Sequence, residues 1–144
     1  MIWLGSDHAG FELKETIKQF LLDRNVLVAD LGCESTDSVD YPAFAVKVAK
    51  RIIDNPHDRG ILFCASGEGM AIAANRIKGI RCALAWNERV AEESRADNDS
   101  NILSLPANYI TPKEAENIVW RWLETEFSGA ERHSRRIHIM DQQP

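Results

Sequence analysis

Five short apolar runs, separated by segments of helical character, constrain this chain more than any other feature. Met1 to Gly5, Val26 to Leu31, Gly60 to Phe63, Arg81 to Trp86 and Asn101 to Leu105 read as buried strands. After the first, Leu13, Ile17, Phe20 and Leu21 recur at i, i+4, i+7 and i+8 on one helical face. Phe44, Val48 and Ile52 form a second stripe, closed by Asn55-Pro56. Small residues follow Gly69, and Asn87 to Arg95 is charged and helix-favouring. Thr111-Pro112-Lys113-Glu114 supplies an N-cap, a proline at the first helical position and a glutamate three residues after the cap. Ala115, Ile118, Val119 and Trp122 supply that helix's buried face, and a last polar helix is expected from about Ala130 to Met140. Cys33 to Pro42 reads as a polar loop interrupted by Tyr41-Pro42.

Strand and helix alternating in this way predict an α/β fold, a parallel sheet covered on both faces. Ligands in such sheets lie beyond the carboxyl ends of the strands. Four short segments should therefore gather at one rim: Ser6-Asp7-His8, Cys64 to Gly67, Trp86-Asn87 and Pro106 to Asn108. Acid, imidazole, thiol and hydroxyl would meet there.

The rest of the chain narrows what could bind. Its 144 residues make one domain, 1–144, by length, with no internal repeat or linker. A net charge of −5 gives no general footprint for nucleic acid or an anionic membrane, so an anionic ligand needs a local basic cluster. No apolar run is long enough to span a membrane, and no signal peptide is expected. Three cysteines in no metal-binding spacing argue against a disulfide scaffold or a metal site and point to a reducing cytoplasm.

Cys64 stands where a strand meets a glycine loop and a helix start. Burial as a small hydrophobe is the ordinary fate of a cysteine and suits Cys82; Cys33, in a loop, is open. At Cys64 the free N–H groups and helix dipole would favour a thiolate, which leaves functional and structural readings evenly matched. Gly67-Glu68-Gly69 makes a poor dinucleotide fingerprint, because Ile72 holds the third position and the loop follows the third strand. It fails as a phosphatase loop for want of an arginine near Cys64. As an oxyanion cradle, with Ser66 and the loop amides as donors, it works, and so does a plain tight turn. Asp7-His8 reads equally as a helix cap or as site chemistry. Arg132-His133-Ser134-Arg135-Arg136 is the only dense basic cluster; a solvated helix face is the usual explanation, yet Arg132 and Arg136 share one face and could clamp phosphate.

The segments GSDHAGFELK, DYP, GILFCASGEGMAIAAN, GIRCALAWN, SRADNDSN and RHSRR, in this order from Ile2 to about Ile139, resemble ribose-5-phosphate isomerase type B, a family that includes the galactose-6-phosphate isomerase subunits. The resemblance implies a Rossmann-like three-layer α/β/α sandwich with a five-stranded parallel sheet. It implies a homodimer or tetramer with shared active sites, to which the C-terminal helix at about 130–140 would contribute across the interface. The implied reaction is reversible isomerisation of ribose 5-phosphate and ribulose 5-phosphate through a cis-enediolate, with no metal and no organic cofactor. By the same resemblance Cys64 is the base, Ser66 and the amides of Gly67, Glu68 and Gly69 hold the enediolate oxygen, and Asp7 handles hydroxyl protons. Tyr41 lies beside the sugar, Asn98 is a polar contact, and His8, Arg132 and Arg136 contact phosphate. Relatives that lack the cysteine use a glutamate further along the loop, where this chain has Met70; Glu68 is therefore a second choice as base.

Two positions depart from the family. Asp97 stands where a histidine usually opens the furanose ring, and an aspartate, with an ordinary pKa of ~3.9, is a poor acid at neutral pH unless burial raises it. Asn108 replaces the usual phosphate-binding arginine. These changes admit another sugar phosphate, a tetrulose 4-phosphate or a hexose 6-phosphate, or a non-catalytic sugar-phosphate-binding protein. A thiol hydrolase would have only His8 as a partner for its nucleophile. His57, His133 and His138 receive no role from the sequence.

Overall fold

A computed structural model describes all residues from 1 to 144. Strands β1 (Ile2–Ser6), β2 (Val28–Asp30), β3 (Arg59–Cys64), β4 (Cys82–Leu84) and β5 (Ile102–Pro106) form one parallel sheet in the order β2-β1-β3-β5-β4. The helices are α1 (Phe11–Leu22), α2 (Tyr41–Asp54), α3 (Glu68–Asn75), α4 (Glu88–Asn98), α5 (Pro112–Glu124) and α6 (Glu131–Asp141).

Two apolar clusters divide the sheet by its pleat. Leu4, Ile61, Phe63, Leu103 and Leu105 face the side packed by α1, α4 and α5, with Ile17, Ala91 and Trp122. Leu62, Cys64 and Ile102 face the opposite side, with Ala45, Val48 and Ile52 of α2 and Met70 and Ala74 of α3. The central strands are apolar on both faces because both are covered, and each fully buried Leu or Ile stabilises the fold by ~1.5–3 kcal/mol. Trp122 can be fully buried because its indole N–H donates to Ser100 Oγ at 2.8 Å.

The helix starts follow local chemistry. At α5 the expected capping box is complete: Thr111 Oγ1 accepts from the Glu114 N–H, and the Glu114 carboxylate accepts from the Thr111 N–H. Tyr41-Pro42 does not interrupt a loop; it is the first turn of α2, where a proline lacks only an N–H that the helix would leave unpaired. α4 runs on to Asn98 and stops at Asp99, whose backbone is left-handed. All three cysteines are free thiols, and no helix is long and apolar enough to cross a membrane.

The strand order has one consequence for function. From β1 the chain goes to β2 on one side and then returns to β3 on the other. The carboxyl ends of β1 and β3 are neighbours, with Ser6 opposite Phe63, at the point where the order reverses. Helices lead away from that point to opposite faces and leave a crevice.

Candidate active site

Asp7 and Cys64 emerge side by side at this crevice. The Asp7 N–H donates to the Phe63 carbonyl at 3.1 Å, which extends the β1–β3 pairing by one residue. The buried Asp7 carboxylate accepts from the Gly10 N–H at 2.9 Å, in the manner of a cap on the turn into α1. Asp7 therefore fulfils the cap reading and stands beside Cys64 at the crevice. Beside it, His8 Nδ1 accepts from the Val39 N–H at 3.3 Å. A neutral His8 ring held in this way carries its proton on Nε2 and presents a donor.

Cys64, the last residue of β3, is 5% exposed, and its Sγ accepts from the Gly67 N–H at 3.1 Å. The expectation of a lowered thiol pKa does not hold in the chain by itself. Burial raises it, donors from the Met70, Gly67 and Ser66 backbone work the other way, and the Asp7 charge adds to the rise; the net is upward. The loop amides thus surround the thiol, and burial outweighs their pull.

The loop's geometry requires its glycines. Gly67 has φ of +76°, and a Cβ there would lie 2.5 Å from Leu84 Cδ1. At Gly69 a Cβ would come within 2.8 Å of Tyr41 Cζ, so the tyrosine ring rests directly on the glycine. Ser66 Oγ accepts from the Glu68 N–H at 3.3 Å, while Glu68 is exposed at the start of α3. Asn108 is exposed beside the loop, with its N–H on the Ala65 carbonyl at 3.0 Å. Met70, at the position of the alternative glutamate, is fully buried in apolar surroundings.

The chain does not bring its remaining candidates to this crevice. α4 starts beyond the carboxyl end of β4 and runs back to the amino end of β5, so Asp97 and Asn98 lie at the opposite edge of the sheet. There the Asn98 carbonyl accepts from Arg81 Nε at 2.9 Å. α6 packs on the same end of α4, and the buried His133 places Nε2 3.3 Å from Asp97 Oδ1. Arg135 is occupied by Glu131, whereas Arg132 and Arg136 are exposed and hold no ion pair. A cavity of about 500 Å³ opens beside Asn98, lined also by Arg81, Met140 and Asp141. One chain therefore carries two clusters. Asp7, His8, Tyr41, Cys64, Ser66 to Gly69 and Asn108 form one; Asp97, Asn98, Arg132 and Arg136 form the other.

Two further residues belong to these clusters. Ser104, fully buried in β5, donates from Oγ to the Gly67 carbonyl at 2.6 Å and anchors the loop from behind. A lone hydroxyl in the apolar run ILSLP was the available signal. His133 pairs with Asp97, and the basic run around it drew attention to charge instead. No group of three or more His, Cys, Asp or Glu side chains is placed to hold a metal ion.

The Ribose/Galactose Isomerase family model matches residues 2–140. The chain belongs to the Ribose/Galactose Isomerase family. Among members of this family, the ribose-5-P isomerase B of Listeria innocua is 39% identical over 141 residues, 98% of this chain and 95% of that protein. The crystal structure of a ribose 5-phosphate isomerase from Thermotoga maritima superimposes with a TM-score of 0.96 at 47% identity, covering 99% of this chain and 97% of that one. Ribose-5-phosphate isomerase B from Mycoplasma genitalium, solved with bound ribulose-5-phosphate, gives 0.94 at 38% identity over 98% and 93%.

Proposed function

We propose that this chain is a ribose-5-phosphate isomerase of type B, interconverting ribose 5-phosphate and ribulose 5-phosphate without metal or organic cofactor. The observation that carries the reading is the Cys64 thiol at the sheet's reversal point, beside Asp7 and ringed by the amides of the Gly67 loop. Family membership and the relative solved with ribulose-5-phosphate supply the substrate.

In this reading the Cys64 thiolate removes the C2 proton of the open-chain aldose. The C–H pair becomes the C1–C2 double bond, and the carbonyl pair moves to O1. Ser66 and the loop amides stabilise the negative oxygen of the enediolate. Asp7 moves the hydroxyl proton between O2 and O1, and the Cys64 thiol returns its proton to C1. Arg132 and Arg136, free of ion pairs, hold the phosphate dianion with His8. Since one chain keeps its arginines away from its own thiol, the working unit is a homodimer, alone or paired into a tetramer. Asp97, Asn98 and the arginines of one copy complete the crevice of the other, and α6 carries them there. Free thiols suit a reducing cytoplasm.

A second reading concerns the sugar alone. The Asp97 carboxylate is engaged with His133, and uncharged Asn108 edges the crevice. A relative in Bacillus subtilis, 43% identical over 135 residues, has a name that goes no further than a provisional sugar phosphate isomerase. A tetrulose 4-phosphate, which cannot close a furanose through its phosphorylated end, would need no ring opening.

Turnover of ribose 5-phosphate, erythrulose 4-phosphate and allose 6-phosphate by wild type, Cys64→Ala and Asp97→His tests both readings. The expected result is preference for ribose 5-phosphate, loss in Cys64→Ala and little change in Asp97→His. Preference for the tetrulose phosphate would replace the substrate and keep the mechanism. No turnover of any sugar, with sugar-phosphate affinity intact in Cys64→Ala, would mean a binding protein.

A further inference from the structure

The proposed chemistry uses Asp7 and His8, and one irregular segment, residues 31–40, bonds to Ser6 next to Asp7, contacts His8 and leads into Tyr41. What fixes that segment is a charge cluster on the outer side of β2. Lys14 is 1% exposed, on the α1 face that otherwise buries Leu13, Ile17, Phe20 and Leu21. Its ammonium contacts Asp30 Oδ2 at 2.5 Å and Glu15 Oε1 at 3.0 Å, and Lys18 contacts the same two oxygens at 2.8 and 2.7 Å. Two lysines and two carboxylates thus close a ring of alternating charge. Burial works against ionisation of Asp30, and donors from Lys14, Lys18 and the Gly32 backbone outweigh it, holding the carboxyl below its usual range.

Stability alone does not account for a buried lysine here, because well-packed apolar residues usually do as well as a buried ion pair or better. The second oxygen of Asp30 shows what the ring is attached to. Oδ1 accepts from the Gly32 N–H at 2.9 Å. The Gly32 carbonyl then accepts from the Ser6 N–H at 2.7 Å, and the Cys33 N–H donates to the Ser6 carbonyl at 3.0 Å. The chain beyond β2 is thereby stitched to β1 up to the residue before Asp7. Residues 34–40 have no regular structure and cross to Val39, which holds His8 Nδ1, and to Tyr41, which rests on Gly69. Local bonds within the segment are few, Cys33 Sγ to the Ser35 carbonyl and the Asp37 N–H to Ser35 Oγ among them. Its course is set by its two ends.

We propose that Lys14 and Asp30 are positioning residues for the isomerase site: Lys14 orients Asp30, Asp30 fixes the turn at Gly32, and that turn sets the path of residues 33–40 onto His8 and Tyr41. The inference rests on the role given to His8 in the proposed function and on the place beside the sugar that the family resemblance implies for Tyr41. Lys14 touches no reacting atom in it.

The test compares wild type with Lys14→Met, Lys14→Arg, Asp30→Ala and Asp30→Asn in the full chain. It reads kcat and KM for ribose 5-phosphate, amide hydrogen exchange, and the ¹⁵N shifts of the His8 ring. In Lys14→Met and Asp30→Ala, exchange at Gly32, Cys33 and Val39 should accelerate about tenfold or more, because the opening of a local unit sets these rates. The His8 Nδ1 shift should change, and kcat/KM should fall about tenfold, a loss typical of misplaced substrate contacts. Lys14→Arg keeps the charge, and Asp30→Asn keeps an acceptor for the Gly32 N–H, so both should restore much of the loss. A lower melting temperature with unchanged exchange at 32–39, His8 shifts and kinetic constants would make the ring purely structural and overturn the proposal. If Lys14→Met does not fold, Asp30→Ala set against Asp30→Asn gives the same decision. Absence of turnover in wild type would count against the proposed reaction, while exchange and the His8 shift would still decide the positioning role.

Discussion

Subunit complementation would test the separation of the two clusters directly. Cys64→Ala breaks the cluster at the carboxyl edge of the sheet, and Arg132→Ala/Arg136→Ala breaks the cluster carried by α6. β5 separates the two edges by ~13 Å along its five residues, and α4 retraces that path over ~16 Å of helix. No side-chain rotation closes such a gap within one chain. Each variant alone should form dimers in which both sites lack one half, and each should be inactive. Equal amounts mixed under conditions of subunit exchange give heterodimers as about half of all dimers. Each heterodimer holds one site with both halves native and one with both halves broken, so about a quarter of the wild-type activity should return. The assay is ribulose 5-phosphate formation against time after mixing, with heterodimers counted by native mass spectrometry. Activity that stays at the sum of the two parents, with heterodimers present, would refute the shared site and require the clusters to act apart.

Three other outcomes follow from named contacts. Gly67→Ala places a side chain at positive φ, costing ~1–2 kcal/mol, and drives a Cβ into Leu84 for a further ~1–3 kcal/mol; urea unfolding should show the combined loss, and Leu84→Ala should relieve part of it. The raised Cys64 thiol makes the thiolate scarce at neutral pH, so kcat/KM should climb with pH above the ordinary cysteine range. Asp7→Asn removes a charge that contributes to that rise, so its residual activity should show the limb at lower pH, and an unshifted limb would exclude Cys64 as the titrating base. Thr111→Ala should cost about 1 kcal/mol in chemical denaturation and leave kinetic constants unchanged, since the bond it removes runs only between Thr111 and Glu114.

Sequence legibility varied with how local the cause was. The α5 start was fully legible because every interaction that makes it lies within four residues. Tyr41-Pro42 does not announce a helix in the sequence, because Asp40 makes no side-chain cap and the preceding residues are polar, so nothing but the proline marks a helix start. Lys14 fell inside an amphipathic stripe yet is buried, since its partner Asp30 comes from a strand that periodicity could not pair with α1. Chain order correctly gathered Asp7, Cys64 and Asn108, because strand ends in a parallel sheet share one edge. It could not say that Asp97 and Asn98 lie at the other edge, since that depends on where α4 ends. The thiol's direction of shift was also beyond sequence, because it depends on how much protein covers Cys64.

Met70 bears on how this site could have changed during descent. It is fully buried in the apolar cluster that also holds Ala45, Val48 and Ala74, and an unpaired carboxylate there would cost several kcal/mol. With Cys64 as the proposed base, a glutamate base at position 70 is more than one substitution away. Met70→Glu alone should lower stability in chemical denaturation and bring no gain in turnover. On that reading the two versions of the site are separated by a fitness valley, and crossing it requires the surrounding core to repack first.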